Sequence, residues 1–176
     1  LLFLFVSKLI WAADQAEIVY CAGIVDIKAG DGLWREAVIG EPLRYGDTVI
    51  TSRDGRLEFV AGISRVAVEA NTVFTYRQAE LRTQKRDVFT CVSGAISLKI
   101  GKVLGIAPEI NTPSTVTGVI GTEFSVFAGD NGAALVVVAE GVVAVSADGA
   151  LVEVAAEEGV DAALDFVETG PAAGAF

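Results

Sequence analysis

Beyond the first twenty residues, apolar and polar side chains trade places at every second position. In GIVDIKAG, Val25 and Ile27 face one way and Asp26 and Lys28 the other. In RVAVEA, Val66 and Val68 oppose Arg65 and Glu69; in AISLKI, Ile96, Leu98 and Ile100 oppose Ser97 and Lys99. A period of two belongs to half-buried strands and cannot give a helix an apolar stripe. ALVVVAEGVVAV is apolar on both faces, which predicts central strands with a turn at Glu140–Gly141. Between the runs lie Gly30-Asp31-Gly32, Tyr45-Gly46-Asp47, Asp54-Gly55, Asp130-Asn131-Gly132 and Asp148-Gly149, whose Gly and Asn tolerate the positive φ of tight turns. The best helical segment, Ala155 to Phe166, is interrupted at Gly159, and weak alternation from Asp161 to Val167 favours a strand there. The expected class is therefore all-β, an antiparallel-rich sandwich, barrel or roll, and parallel βαβ units are excluded.

A chain of 176 residues, 52% of them hydrophobic, can bury one sizeable core and is short for two. The net charge of −10 is uneven: all 13 Lys and Arg lie at or before Lys102, and from Val103 onward there are 11 acids and no base. That balance argues against nucleic acid, whose phosphates need cations. The cluster Arg77, Arg82, Lys85, Arg86 reads as a solvated hairpin tip, since Glu80 interrupts it and Asp87 follows it. Histidine is absent, which removes the usual general base and the commonest transition-metal ligand. Cys21 and Cys91 form no Cys-x-x-Cys pair; they read equally as two buried thiols or, in an exported chain, as a disulfide. No metal site, cofactor site or catalytic residue is expected.

The opening LLFLFVSKLIWAA is apolar apart from Ser7 and Lys8, too short for a membrane span, and fits the end of a secretory signal peptide cut after Ala12 or Ala13. Residues 1–13 are thus expected to be a signal remnant, 14–167 one β domain, and 168–176 a loose tail. Pro108 and Pro113 bracket a short crossing segment between two strand-rich parts.

The stretch TPSTVTGVIGTEFSV, residues 112–126, is the one most suggestive of a site. A Walker loop needs four residues between its glycines and a Lys-Ser/Thr after them; here Gly118 and Gly121 enclose only two, and Thr122-Glu123 follow. Its hydroxyls have no histidine to activate them. Glu123 with a second carboxylate would suit glycoside cleavage, and Trp34 and Tyr45 would suit a sugar platform. The reading that accounts for every residue is geometric: Gly118 and Gly121 make a corner, Thr122 hydrogen-bonds across it, and Phe124 and Val126 begin a core strand while Glu123 and Ser125 face away.

INTPSTVTGVIGTEFSV closely resembles the signature of the FecR domain family, TP–A–GVRGT–F–V, carried here by Thr112, Pro113, Gly118, Gly121, Thr122 and Phe124. VVVAEGVVAV, from Val136, is similar to the family's following V–EG–V–V pair, and the segment from Gly40 to Phe74 to its G–L–GD–I–T opening. Ile120 stands where the family often has arginine. The resemblance spans about Ala22 to Ala156. It implies a non-catalytic module for protein interaction or sensing in the bacterial envelope, periplasmic or extracellular, whose partner is an envelope protein or cell-wall component. A second reading that it implies is the periplasmic part of a transmembrane sigma-factor regulator of iron uptake, with membrane attachment through an upstream span. A cationic partner is expected to prefer the acid-rich part after Val103.

Overall fold

The computed structural model describes residues 16–171 except 31, 103–104, 148, 157 and 164–165, with the backbone alone for 120, 158–163 and 166–171. The signal-peptide segment lies outside the described residues. Among those described there are fifteen strands and no helix.

Two consecutive strands, β1 (Ala16–Ala22) and β2 (Val25–Lys28), are one run bent at Gly23–Ile24. Flanking strands β3 (Trp34–Glu36) and β4 (Pro42–Leu43) pair with β2 and β1. Next come β5 (Thr48–Thr51), β6 (Arg56–Ala61), β7 (Ser64–Val68), β8 (Val73–Leu81) and the seventeen-residue β9 (Gln84–Ile100). From β1 the ladder passes to β6, β7 and the second half of β9; from β2 it passes to β5, β8 and the first half of β9. Because β1 runs into β2 and both halves belong to one β9, the circuit closes into a barrel. Closure leaves no free edge in that circuit.

The inward positions are those set by the alternation: Val25, Ile27, Val66, Val68, Ile96, Leu98 and Ile100 are all buried. At the centre, the Phe59 ring meets Phe74 at 5.5 Å, Tyr76 at 5.8 Å and Phe89 at 5.9 Å between centroids. Such pairs add roughly 0.5–1.5 kcal/mol each beyond the area they bury. Asp47 of the Gly46-Asp47 turn is buried too; it accepts the Arg44 N–H at 3.0 Å and pairs with Arg35 at 3.5 Å, so it clamps the entry to β5.

The step from β7 to β8 is held by hydroxyls. Thr51 Oγ1 donates to the Glu69 carbonyl at 2.5 Å and accepts the Thr72 N–H at 2.9 Å. Thr72 Oγ1 donates to the Ala95 carbonyl at 3.1 Å and accepts the Ala95 N–H at 2.9 Å. This approach is possible because residue 94 is glycine, at φ 92°; a Cβ there would overlap Thr72 Oγ1.

From the other edge of β9 the sheet continues outside the barrel. A short β10 (Glu109–Asn111) lies parallel to Val88–Thr90, and β11 (Val116–Ala128) pairs with β10 and then directly with β9. Next is β12 (Ala134–Ala147), flanked by β13 (Ala150–Ala155) over one half and by β14 (Glu158–Ala163) over the other, with β15 (Phe166–Pro171) beyond β14. The inner faces of this extension join the barrel interior in one core cluster.

Several expectations change. Glu140–Gly141 is not a turn: β12 runs through it, because its partner β11 bends at the same level. Nor is β12 buried on both faces, since Leu135 and Val142 are exposed on the outer one. As the alternation favours, strands follow Ala155 at 158–163 and 166–171, but residues 168–171 of the expected loose tail belong to β15; residues 172–176 lie outside the described residues. At the β8–β9 tip Arg77, Arg82 and Lys85 are exposed, but Arg86 is half-buried and bound to Glu109 at 2.7 Å.

Replacing Thr72 with valine keeps its shape and removes the bonds of its own hydroxyl, to the Ala95 carbonyl and from the Ala95 N–H, while those of Thr51 remain. Urea unfolding is expected to show a loss of about 1–3 kcal/mol, since Ala95 N–H is left unpaired; an unchanged midpoint would show that the step is held by packing alone.

Candidate interaction site at the β11–β12 corner

The loop 112–115 closes the β10–β11 hairpin. Thr112 N–H donates to the Thr115 carbonyl at 2.9 Å, and Thr112 Oγ1 accepts the Ser114 and Thr115 N–H groups at 3.3 and 2.9 Å. Pro113 follows Thr112 in this loop, where its fixed φ suits a turn. Thr112 and Pro113 are thus turn-formers, and the turn sends β11 away alongside β10.

Before Gly121, β11 is separated from β9 by β10; after it, β11 pairs with β9 itself. The strand must therefore bend, and it does so at a bulge. Ile120 is opposite Val142 and Glu123 opposite Glu140, so β11 spends three steps where β12 spends two. Gly121 takes φ 59°, the left-handed position such bulges require. One level on, β12 carries the extra residue, since Phe124 faces Val138 and Ala139 is passed over. Each bulge reverses the alternation. On β11 the buried positions change from Thr117 and Val119 to Thr122, Phe124, Val126 and Ala128. On β12 they change from Ala134, Val136 and Val138 to Val143, Val145 and Ala147. Gly141, at φ 89°, completes the corner: a Cβ there would lie 2.7 Å from Thr122 Cγ2 and 2.9 Å from the Gly121 carbonyl.

The corner therefore lies within a strand and does not launch one. Phe124 and Val126 are buried, with Glu123 and Ser125 on the other face, in line with the alternation. Thr122 differs from expectation: it is buried and its Oγ1 has no hydrogen-bond partner. The bulge turns it inward, so its methyl fills the space over Gly141 and its hydroxyl follows. Gly118 also differs, since its φ is not positive and a Cβ there would meet nothing within 4 Å.

Straightened by the corner, the outer face aligns charges across four strands. Arg65 on β7 is opposite Lys99 on β9, Lys99 opposite Glu123 on β11, and Glu123 opposite Glu140 on β12. Lys99 binds Glu123 at 2.7 Å, Arg65 binds Glu58 at 2.6 Å, and Arg56 bridges Glu58 and Glu69. The hydrogen bond from Arg65 holds the Glu58 carboxyl below the usual carboxylate range, and the one to Glu123 raises the Lys99 ammonium. Beside this row Ala67, Ser97 and Ser125 form a small-residue floor, with Ser97 and Ser125 hydroxyls 3.0 Å apart. Together they make a shallow groove of about 290 Å³. It can bind a polar, extended segment by charge and hydrogen bonds. Glu123 and Glu140 face each other across the ladder, but on an open sheet face with Glu123 already tied to Lys99.

Sequence reasoning marked Arg65, Ser97 and Lys99 as outward-facing but did not assemble the row, because the order of strands across a sheet is not written in their alternation. The other candidates lie elsewhere. Cys21 on β1 and Cys91 on β9 are both free thiols in this structure. Burial pushes the Cys91 thiol up to about 12 and raises Cys21 as well. Trp34 is half-exposed with Lys28 Nζ 5.9 Å over its ring. Among the described residues no three His, Cys, Asp or Glu side chains gather as metal ligands.

Two measurements test these assignments. Gly141→Ala is expected to cost about 2–4 kcal/mol in urea unfolding, from positive φ plus overlap, whereas Gly118→Ala should stay within about 0.5 kcal/mol; equal costs would dissolve the distinction between the two glycines. With no reductant present, a maleimide at pH 8 should modify Cys91 only after unfolding, and two thiols should then titrate. None titrating would mean a disulfide.

Comparison with curated proteins finds no match. Two crystal structures of a provisionally assigned anti-sigma factor from Parabacteroides distasonis ATCC 8503 share the fold, each with a TM-score of 0.61 at 16% identity over 70% of this chain. The chain spans 59% of the length of that protein. The family described as FecR protein matches residues 47–144, from the Asp47 clamp through both bulges of the corner to the far limb of β12. On that match, which covers more than half of its length, the chain belongs to the FecR protein family.

Proposed function

We propose that this chain is an extracytoplasmic interaction or sensing module of the bacterial envelope, which binds a protein or cell-wall component and catalyses no reaction. The observation that carries the reading is the fate of the signature residues. Thr112, Pro113, Gly121, Thr122 and Phe124 build a corner that lines up an outward row of charge, where an enzyme would converge its groups on an enclosed nucleophile or base. The row and its small-residue floor suit an extended polar partner. Of the eleven acids after Val103, Glu109 and Glu123 are already neutralised by Arg86 and Lys99; the others favour a partner of net positive charge.

A second reading, the periplasmic part of a transmembrane regulator of a sigma factor for iron uptake, is favoured by the provisional assignment of the fold neighbour. The carbohydrate reading gains nothing comparable: Trp34 sits under Lys28, and Glu123 is bound to Lys99.

A photo-crosslinking residue at Ser125 in the native host is expected to give one discrete adduct with an envelope component, weakened by raised salt, and none when placed at Thr83 in the β8–β9 tip. No adduct from Ser125, or an adduct only with cytoplasmic proteins, would overturn the proposal. Terminal sequencing of the native product separates the readings: a start at Ala13 or Asp14 supports the free module, and a start far upstream, beyond a full membrane span, supports the regulator.

A further inference from the structure

One end of the barrel is not used by the charged sheet face. Along the β8–β9 hairpin the inward positions run from Tyr76 opposite Phe89, to Gln78 opposite Asp87, to Glu80 opposite Lys85. Tyr76 and Phe89 are buried in the aromatic core, and the next pair lines a cavity of about 330 Å³. The Gly62–Ile63 turn between β6 and β7 walls one side, and Ile106 and Pro108 another. Barrel mouths of roughly 300 Å³ and upward are where small groups are held.

The chemistry of this mouth is selective. The Tyr45 and Tyr76 rings lie 4.7 Å apart, and both hydroxyls donate to one atom, Asp87 Oδ1, at 3.0 and 3.1 Å. Both O–H groups reach Oδ1, and neither uses Oδ2. Burial raises both phenols above their ordinary values, which keeps them as donors. Lys85 lines the same cavity but forms no ion pair with Asp87 among the described residues. A half-buried carboxylate held by tyrosines and walled by aliphatic side chains attracts a cation that carries an apolar stem: the charge meets Asp87, the ring faces add cation–π attraction, and the stem meets Ile106 and Pro108.

We propose that this barrel mouth binds a guanidinium or ammonium group on a short aliphatic stem, either a free small molecule or the arginine or lysine side chain of a protein, with Asp87 as its counter-ion and Tyr45 as its aromatic face. The site goes beyond the interaction face and is independent of it, for the cavity and the groove share no lining residue.

The 176-residue chain would be titrated with butylguanidinium and with blocked arginine (N-acetyl, N′-methylamide), following backbone amide shifts at 45, 76, 87 and 106. Saturable shifts are expected with at least one cation and not with butylurea, its neutral counterpart. Asp87→Asn keeps an acceptor for both hydroxyls and removes the charge, so binding should weaken about tenfold or more; Tyr45→Phe should weaken it severalfold. Binding of the blocked arginine points to a protein side chain as the source, and binding of butylguanidinium alone to a free small molecule. Absence of saturation with both cations, equal binding of butylurea, or unchanged affinity in a folded Asp87→Asn chain would overturn the proposal. Should that variant misfold, the butylurea comparison on the unaltered chain still decides.

Discussion

The architecture hangs on one strand that must satisfy different neighbours along its length. Over its first half β9 is hydrogen-bonded to β8 and β10, and over its second half to β7 and β11. Buried backbone groups cannot be left unpaired, so each exchange of neighbour has to happen without a break in the ladder. On one edge the exchange falls between β7 and β8, where Thr51 and Thr72 replace the missing ladder bonds beside Gly94. On the other it falls where β10 ends and β11 swings in at Gly121. The Thr pair and the glycine corner answer one geometric demand made on opposite edges of one strand.

Much of this is legible in the residues. Alternation at Val66–Val68 and Ile96–Ile100 named the inward face without error, because a half-buried strand leaves no other pattern. The FecR-like signature located the corner. What the residues do not state is the kind of corner. Glu140–Gly141 has the composition of a turn, and only the facing Gly121–Thr122 shows it to be half of a double bulge inside two continuous strands. Thr122 was misjudged for the same reason: its hydroxyl suggested a bond, whereas the bulge rotates it into the core, where its methyl is what fits.

The surface features depended on strand order, which local pattern does not carry. Arg65, Lys99, Glu123 and Glu140 are scattered over 76 positions of chain, yet fall in one row since β7, β9, β11 and β12 are consecutive in the sheet. Asp87 was legible only as the acid that follows a basic cluster; its contact with Tyr45 comes from the turn before β5, forty-two residues earlier. In a protein of mostly long-range ladders, composition constrains the fold and topology constrains the site.

The two bulges also act as an offset and its correction. Val119 opposite Val143 and Val126 opposite Val136 follow the same numerical register, because the residue gained on β11 is matched by the one gained on β12. The Gly129–Ala133 connection thus closes as it would between two unbroken strands. Loss of a single bulge residue would invert every side chain beyond it. Loss of one from each strand would leave the loop intact while exchanging inside for outside over one whole limb. The two bulge residues are therefore bound to each other: neither strand can lose its extra residue without turning the buried face of a limb outward.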